Sequence, residues 1–113
     1  MRKLHMLHSL NLNVGDLGVN VRRINNWFGV KDGDLLELCV CTKDPETHKI
    51  EGHGKIEFLE AYNFRNIPAR LLEFEHEEMS RRYFGLLESM RRDYGKEFNE
   101  HEQVLVIGYR RVD

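Results

Sequence analysis

Leu35-Leu36-Glu37-Leu38-Cys39-Val40-Cys41 is the run that decides the architecture. It is apolar at nearly every position and rich in Leu and Val, as expected of a buried strand. A tight turn, Val30-Lys31-Asp32-Gly33-Asp34, feeds it. Residues 42–48 after it form a polar loop with Asp44-Pro45 as its turn dipeptide. Residues 54–64 return as a second strand carrying Ile56 and Phe58 on one face, so the two are expected to pair as an antiparallel hairpin.

On the N-terminal side, Leu4, Met6, Leu10, Leu12 and Val14 fit a strand period, whereas Leu4, Leu7, Leu10 and Val14 fit a helix face. Both readings stay open. Gly15-Asp16-Leu17-Gly18 is a turn, and residues 19–24 alternate as a short strand. On the C-terminal side, Asn66-Ile67-Pro68 opens a helix expected to run through Glu78, because Asn can cap and Pro is tolerated in a first turn. Ser80 can cap a second helix, in which Tyr83, Leu86, Leu87, Met90 and Tyr94 share one apolar stripe and Gly95 ends the run. Residues 103–112 close the chain as a strand, Val104 and Val106 on one face, Leu105, Ile107 and Tyr109 on the other. Strands, then helices, then a strand predict an α+β domain over 1–113: a small, mostly antiparallel sheet, curled or closed toward a β-barrel, with flanking helices.

Composition narrows the function classes. With 113 residues, 41% hydrophobic and 32% charged, the chain makes one domain that buries roughly two-thirds of its unfolded surface, not a disordered tail. No apolar run reaches the ~20 residues a membrane span requires. The basic N-terminal segment is interrupted by His5 and His8, so no signal peptide is expected. A net charge of −2 gives no strong field for polyanions. The paired arginines Arg22-Arg23, Arg81-Arg82, Arg91-Arg92 and Arg110-Arg111 still permit a local basic patch. Cys39 and Cys41 are too constrained to bridge each other and read as reduced thiols of a cytoplasmic protein.

Several constellations carry chemistry. Cys39, Cys41, His48 and His53 lack the usual zinc spacing and read as two core thiols with two solvent histidines, so neither metal nor cofactor is expected. His5-x-x-His8 pairs two imidazoles only if that segment is a helix. Arg81, Glu88 and Arg92 read as a solvated helix face. Glu73, Glu75, Glu77 and Glu78 with His76 form an acidic cluster, either a solubilising surface or, if buried in a cleft, a source of a general base. Arg22-Arg23-Ile24-Asn25-Asn26-Trp27-Phe28 combines the groups that hold a phosphate, read a base edge and stack on its ring, although Trp27 equally suits a core plug.

Three stretches, in this order and spacing, resemble the ASCH domain of the PUA-like superfamily. They are Gly15-Asp16-Leu17-Gly18-Val19-Asn20-Val21-Arg22, Val30-Lys31-Asp32-Gly33-Asp34-Leu35-Leu36, and the region from Phe64-Arg65-Asn66-Ile67-Pro68 through Leu86-Leu87-Glu88-Ser89-Met90-Arg91-Arg92-Asp93-Tyr94 to Val104-Leu105-Val106-Ile107. The resemblance covers most of the chain after residue 15 and implies a small barrel with a cleft for RNA or a modified nucleobase. Members that hydrolyse N4-acetylcytidine use a Lys, a Thr and a downstream Glu. Those positions fall here on Leu17, Asn20 and Glu78, or Glu75 with the gap placed differently, while Arg22 is retained. Leucine cannot activate a hydroxyl and asparagine is no nucleophile, which argues against that reaction.

The expectation is therefore an RNA- or nucleotide-binding module using a cleft between barrel and helices. Asn20 reads a base edge, Arg22 or Arg23 holds phosphate, Trp27 stacks, and Glu78 accepts from an exocyclic amine, with Lys31 and Glu75 as further contacts. The alternative is a hydrolase of the N4-acetylcytidine amidohydrolase or ribonuclease type, with Glu78 as general base and Arg22 steadying the oxyanion. A third reading, a protein-interaction module exposing the last strand edge, rests only on Arg110-Arg111.

Overall fold

A computed structural model describes residues 1–7, 10–27, 29–41, 48–75 and 77–113. The chain runs β1 (Arg2–Leu7), β2 (Leu17–Arg23), β3 (Leu35–Cys41), β4 (His48–Asn63), α1 (Ala69–Leu72), α2 (Tyr83–Tyr94) and β5 (Gln103–Arg111), with 3-10 turns at Ile24–Asn26, Phe64–Asn66 and Glu78–Arg81. The five strands form one mixed sheet in the order β1-β3-β4-β5-β2, curled into a half-barrel. Every pairing is antiparallel except β1 with β3, which aligns Leu4 with Leu38 and Met6 with Val40 in parallel. Irregularities between Leu38 and Cys39 and between Ile56 and Phe58 break the ladders, the kind of disruption that bends a sheet and increases its twist. Among the described residues no helix is long and apolar enough to cross a membrane.

The hairpin forms as expected, with β4 longer than its sequence pattern indicates. β5 explains the architecture because both its faces are buried. Val104 and Val106 pack with Val19 and Val21 of β2, Phe64, Leu72, Phe98 and the α2 stripe of Leu86, Leu87 and Met90. Leu105, Ile107 and Tyr109 pack with Leu4, Met6, Leu36, Leu38, Ile56 and Trp27, a cluster to which no helix contributes. Leu4, Leu36, Leu38, Ile107 and Tyr109 are nevertheless fully buried, so the sheet covers this core by curling over itself. Its two edges come within one side chain's reach: Arg22 of β2 donates to the carbonyl of His5 on β1.

One open choice is decided and one element is corrected. Residues 2–7 are a strand, one of the two readings left open for this segment; His8, and with it the His5-x-x-His8 pair, lies outside the described residues. The helix expected from Asn66 to Glu78 shrinks to the single turn of α1, with Pro68 rather than Asn66 at its cap and no side-chain cap bond. The competing force is strand pairing. Val19 N–H donates to Phe74 C=O at 2.9 Å, and Glu75 bridges Val19 in parallel, extending the sheet past β2. The like charges of the acidic run also oppose continued helix.

Ser80 is not the cap of α2 either. That position is Arg82, while the Ser80 hydroxyl is buried and hydrogen-bonded to Ser89 Oγ at 2.8 Å. Gly95 does terminate α2, at φ 102°. Gly85 is required for another reason: a Cβ there would sit 1.8 Å from the Met79 carbonyl oxygen. The loop at 42–47, including Asp44-Pro45, lies outside the described residues.

Candidate functional site

Where β1 and β2 face each other, the structure encloses a cavity of about 400 Å³. Its walls come from four places: Arg2, Lys3, His5 and Met6 of β1; Asn20, Val21 and Arg22 of β2; Trp27; and Glu75, Glu77 and Ser80 with the Leu86–Tyr94 face of α2. Cys41, at the end of β3, completes it. The volume lies within the range typical of small-ligand pockets, ~300–1,000 Å³.

Asn20 and Arg22 share a face of β2 and line the cavity, with Val21 of the other face at its helix side; Asn20 is 1% exposed. Arg23 points the other way. Its guanidinium makes a two-point ion pair with Glu102 at 2.8 and 3.1 Å and lies over the rings of Tyr94 and Phe98 at 5.0 and 5.8 Å. It is committed to holding β2 against the loop before β5, so of the two expected phosphate contacts only Arg22 lines the cavity. Arg22 itself donates to the carbonyls of Val21 and His5. Among the described residues no carboxylate forms an ion pair with it.

Trp27 is a core plug with one part on the cavity wall. It is 8% exposed, packs in the helix-free core, and carries the Arg2 guanidinium over its ring at 5.1 Å. Phe28 lies outside the described residues. Lys31 is exposed in the turn before β3, where its backbone N–H donates to Asp34, and does not line the cavity.

The acidic stretch divides. Glu78 is exposed on its 3-10 turn and does not line the cavity. The carboxylate on the cavity wall is Glu75, 3% exposed and bridged to β2. A buried carboxylate requires hydrogen-bond partners, and Glu75 Oε1 accepts from Glu77 N–H at 3.5 Å. Glu77 also lines the cavity, gripped by the two terminal Arg92 nitrogens at 3.1 and 3.2 Å, with Ser89 Oγ at 3.5 Å. Hydrogen bonding to Glu77 raises the Arg92 pKa above the ordinary arginine value despite partial burial. Arg81 Nε donates to the Glu75 carbonyl at 2.8 Å. Arg81, Glu88 and Arg92 are all exposed, as expected of a solvated face, and the two arginines also clamp this strip. His76 lies outside the described residues.

The remaining polar groups were hidden by sequence distance. Cys41 Sγ lies 3.2 Å from His5 Nδ1, across 36 positions. Burial pushes the Cys41 thiol up, while the Met6 backbone and the Arg22 charge pull it partly back. Cys39 is a buried core thiol as expected; Cys41 is partly exposed and faces the cavity. Among the described residues no three His, Cys, Asp or Glu side chains converge to hold a metal. His53 instead pairs with Asp113 at 2.9 Å, and the His48 side chain lies outside the described residues. In the helix-free core, the Tyr109 hydroxyl is buried with no hydrogen-bond partner among the described residues. Burial first, and then the Glu75 charge, pushes its pKa well above the usual tyrosine range.

Compared with known protein families, curated proteins and solved structures, the chain matches none.

Proposed function

We propose that the cavity binds a nucleobase with its attached phosphate, as a modified nucleotide or one nucleotide of a single-stranded RNA. The observation that carries this reading is the placement of Asn20 and Glu75, 1% and 3% exposed, on the wall of one cavity beside Arg22. An Asn amide offers a donor and an acceptor in a fixed fork, the pattern that reads a base edge. A carboxylate accepts from an exocyclic amine, the role that passes from Glu78 to Glu75. Arg22, outside any ion pair with a described carboxylate, meets the phosphate. Trp27 walls the base and does not stack on it, since its ring already carries Arg2. The resemblance to ASCH domains of the PUA-like superfamily points to the same ligand class.

Trp27 is the only tryptophan, so its emission reports occupancy of the cavity directly. Titration with short single-stranded RNA is expected to change that emission, with affinity falling as salt rises by a log–log slope of about −0.7 per phosphate contacted. Arg22→Ala is expected to weaken binding about tenfold or more, as loss of one charge-assisted phosphate contact implies, and Arg22→Lys to restore part of it. Unchanged emission with RNA and nucleotides alike overturns the reading.

The position of Glu75 also favours a second reading, amide hydrolysis with Glu75 as general base. Leu17, where the acetylcytidine hydrolases carry Lys, does not line the cavity, so this reading relies on Glu75 alone for proton transfer. Turnover of N4-acetylcytidine that disappears in Glu75→Gln decides for it.

A further inference from the structure

We propose that Cys41 is a nucleophilic thiol facing the cavity, with the His5 imidazole as its proton acceptor, and that it takes small electrophiles carrying a negative charge. The pairing is geometric. Nδ1 of His5 lies 3.2 Å from Sγ of Cys41, within reach for a thiol to donate to an imidazole nitrogen, and both residues line the same cavity. A nucleophile hydrogen-bonded to a base, at a wall a small molecule can reach, is the arrangement that activates side-chain nucleophiles. The Arg22 guanidinium donates to the His5 carbonyl, which ties β1 to β2 beside this pair.

Burial keeps Cys41 protonated at rest, so a base must remove its proton as it attacks. In the step, the thiol proton moves to His5 Nδ1 and the sulfur forms a bond to the electrophilic carbon. The carbon's bond to its leaving group breaks with the electron pair departing on that group. Arg22 selects the charge. It is the charged side chain acting on the Cys41 thiol, and its own hydrogen bonds go to carbonyls, not carboxylates. A carboxylate on the incoming electrophile meets that guanidinium while its reactive carbon meets the sulfur. Cys39 supplies the internal contrast: two residues away on the same strand, it is 1% exposed and its thiol is aimed at the Glu37 carbonyl at 3.8 Å.

The test treats the folded chain with iodoacetate and, separately, with iodoacetamide, and reads each cysteine by peptide mass spectrometry. No nucleotide is needed, so the outcome is independent of the RNA reading. Cys41 is expected to be modified at least about ten times faster than Cys39. The iodoacetate-to-iodoacetamide rate ratio at Cys41 is expected to exceed that of free glutathione. His5→Ala is expected to slow Cys41 several-fold, and Arg22→Gln to lower the ratio. Equal rates at the two cysteines, or a wild-type ratio no higher than that of glutathione, overturn the proposal whatever the variants do.

Discussion

Trp27→Ala is expected to lower the unfolding free energy by about 3–5 kcal/mol, the usual cost of deleting a large buried aromatic. The indole is 8% exposed among Leu4, Met6, Leu36, Leu38, Ile56 and Ile107, in a core that no helix seals. Its removal leaves a hole beside an existing cavity, and the curled sheet cannot collapse into it without moving a strand. The guanidinium–indole contact with Arg2 adds at most about 1 kcal/mol at such a site. With native domains stable by roughly 5–15 kcal/mol, the variant is marginal. Trp27→Phe keeps most of the apolar volume and is expected to cost less than half as much. Urea unfolding followed by circular dichroism measures both. A cost below about 1 kcal/mol for Trp27→Ala, combined with complete loss of ligand binding, would instead make Trp27 a stacking platform.

Tyr109→Phe is expected to stabilise the protein, by about 1–3 kcal/mol, the desolvation cost of a buried polar group without a partner. The hydroxyl is fully buried in the same core, with no hydrogen-bond partner among the described residues, while its ring packs against β2 at Gly18. The phenol also predicts a pH signature. Burial and the Glu75 charge raise its folded pKa above the ordinary value of 10.0, against the opposing pull of Arg22. Above pH 10 the unfolded chain loses this proton and the folded chain keeps it. The folded state then binds more protons, and stability falls as pH rises past 10. Tyr109→Phe removes that share of the alkaline loss. Tyr62 and Tyr83, raised by a hydrogen bond to Glu60 and by burial respectively, keep theirs. Denaturation at pH 8 and pH 11 tests both statements, and a destabilised Tyr109→Phe protein would mean that the hydroxyl has a partner.

The parts of the fold written locally were legible in the sequence. The β3–β4 hairpin, the α2 stripe ending at Gly95, and the two apolar faces of β5 each follow from a repeat within one segment. The parts decided by long-range pairing were not. Residues 4–14 carry two periodicities at once, and over Arg2–Leu7 it is the parallel register with β3 that selects the strand. The acidic run looks helical until Val19 captures the Phe74 carbonyl, and that capture is what exchanges Glu78 for Glu75 at the site.

For the site, strand alternation already implied that Arg22 and Arg23 point to opposite faces of β2, and the ion pair with Glu102 identifies the one that stays out of the cavity. Nothing local announces the meeting of Cys41 with His5 or of Arg92 with Glu77, because those partners come from separate elements brought together by the curl.

Chemical-shift mapping during titration with ribonucleotides and short RNA shows whether the cavity between β1, β2 and α2 takes a nucleotide. Perturbations are expected to concentrate at Asn20, Arg22, Glu75 and the Trp27 indole and to move together along one saturable curve. Perturbations confined to the Arg110-Arg111 end of β5, or none at any concentration, would contradict it.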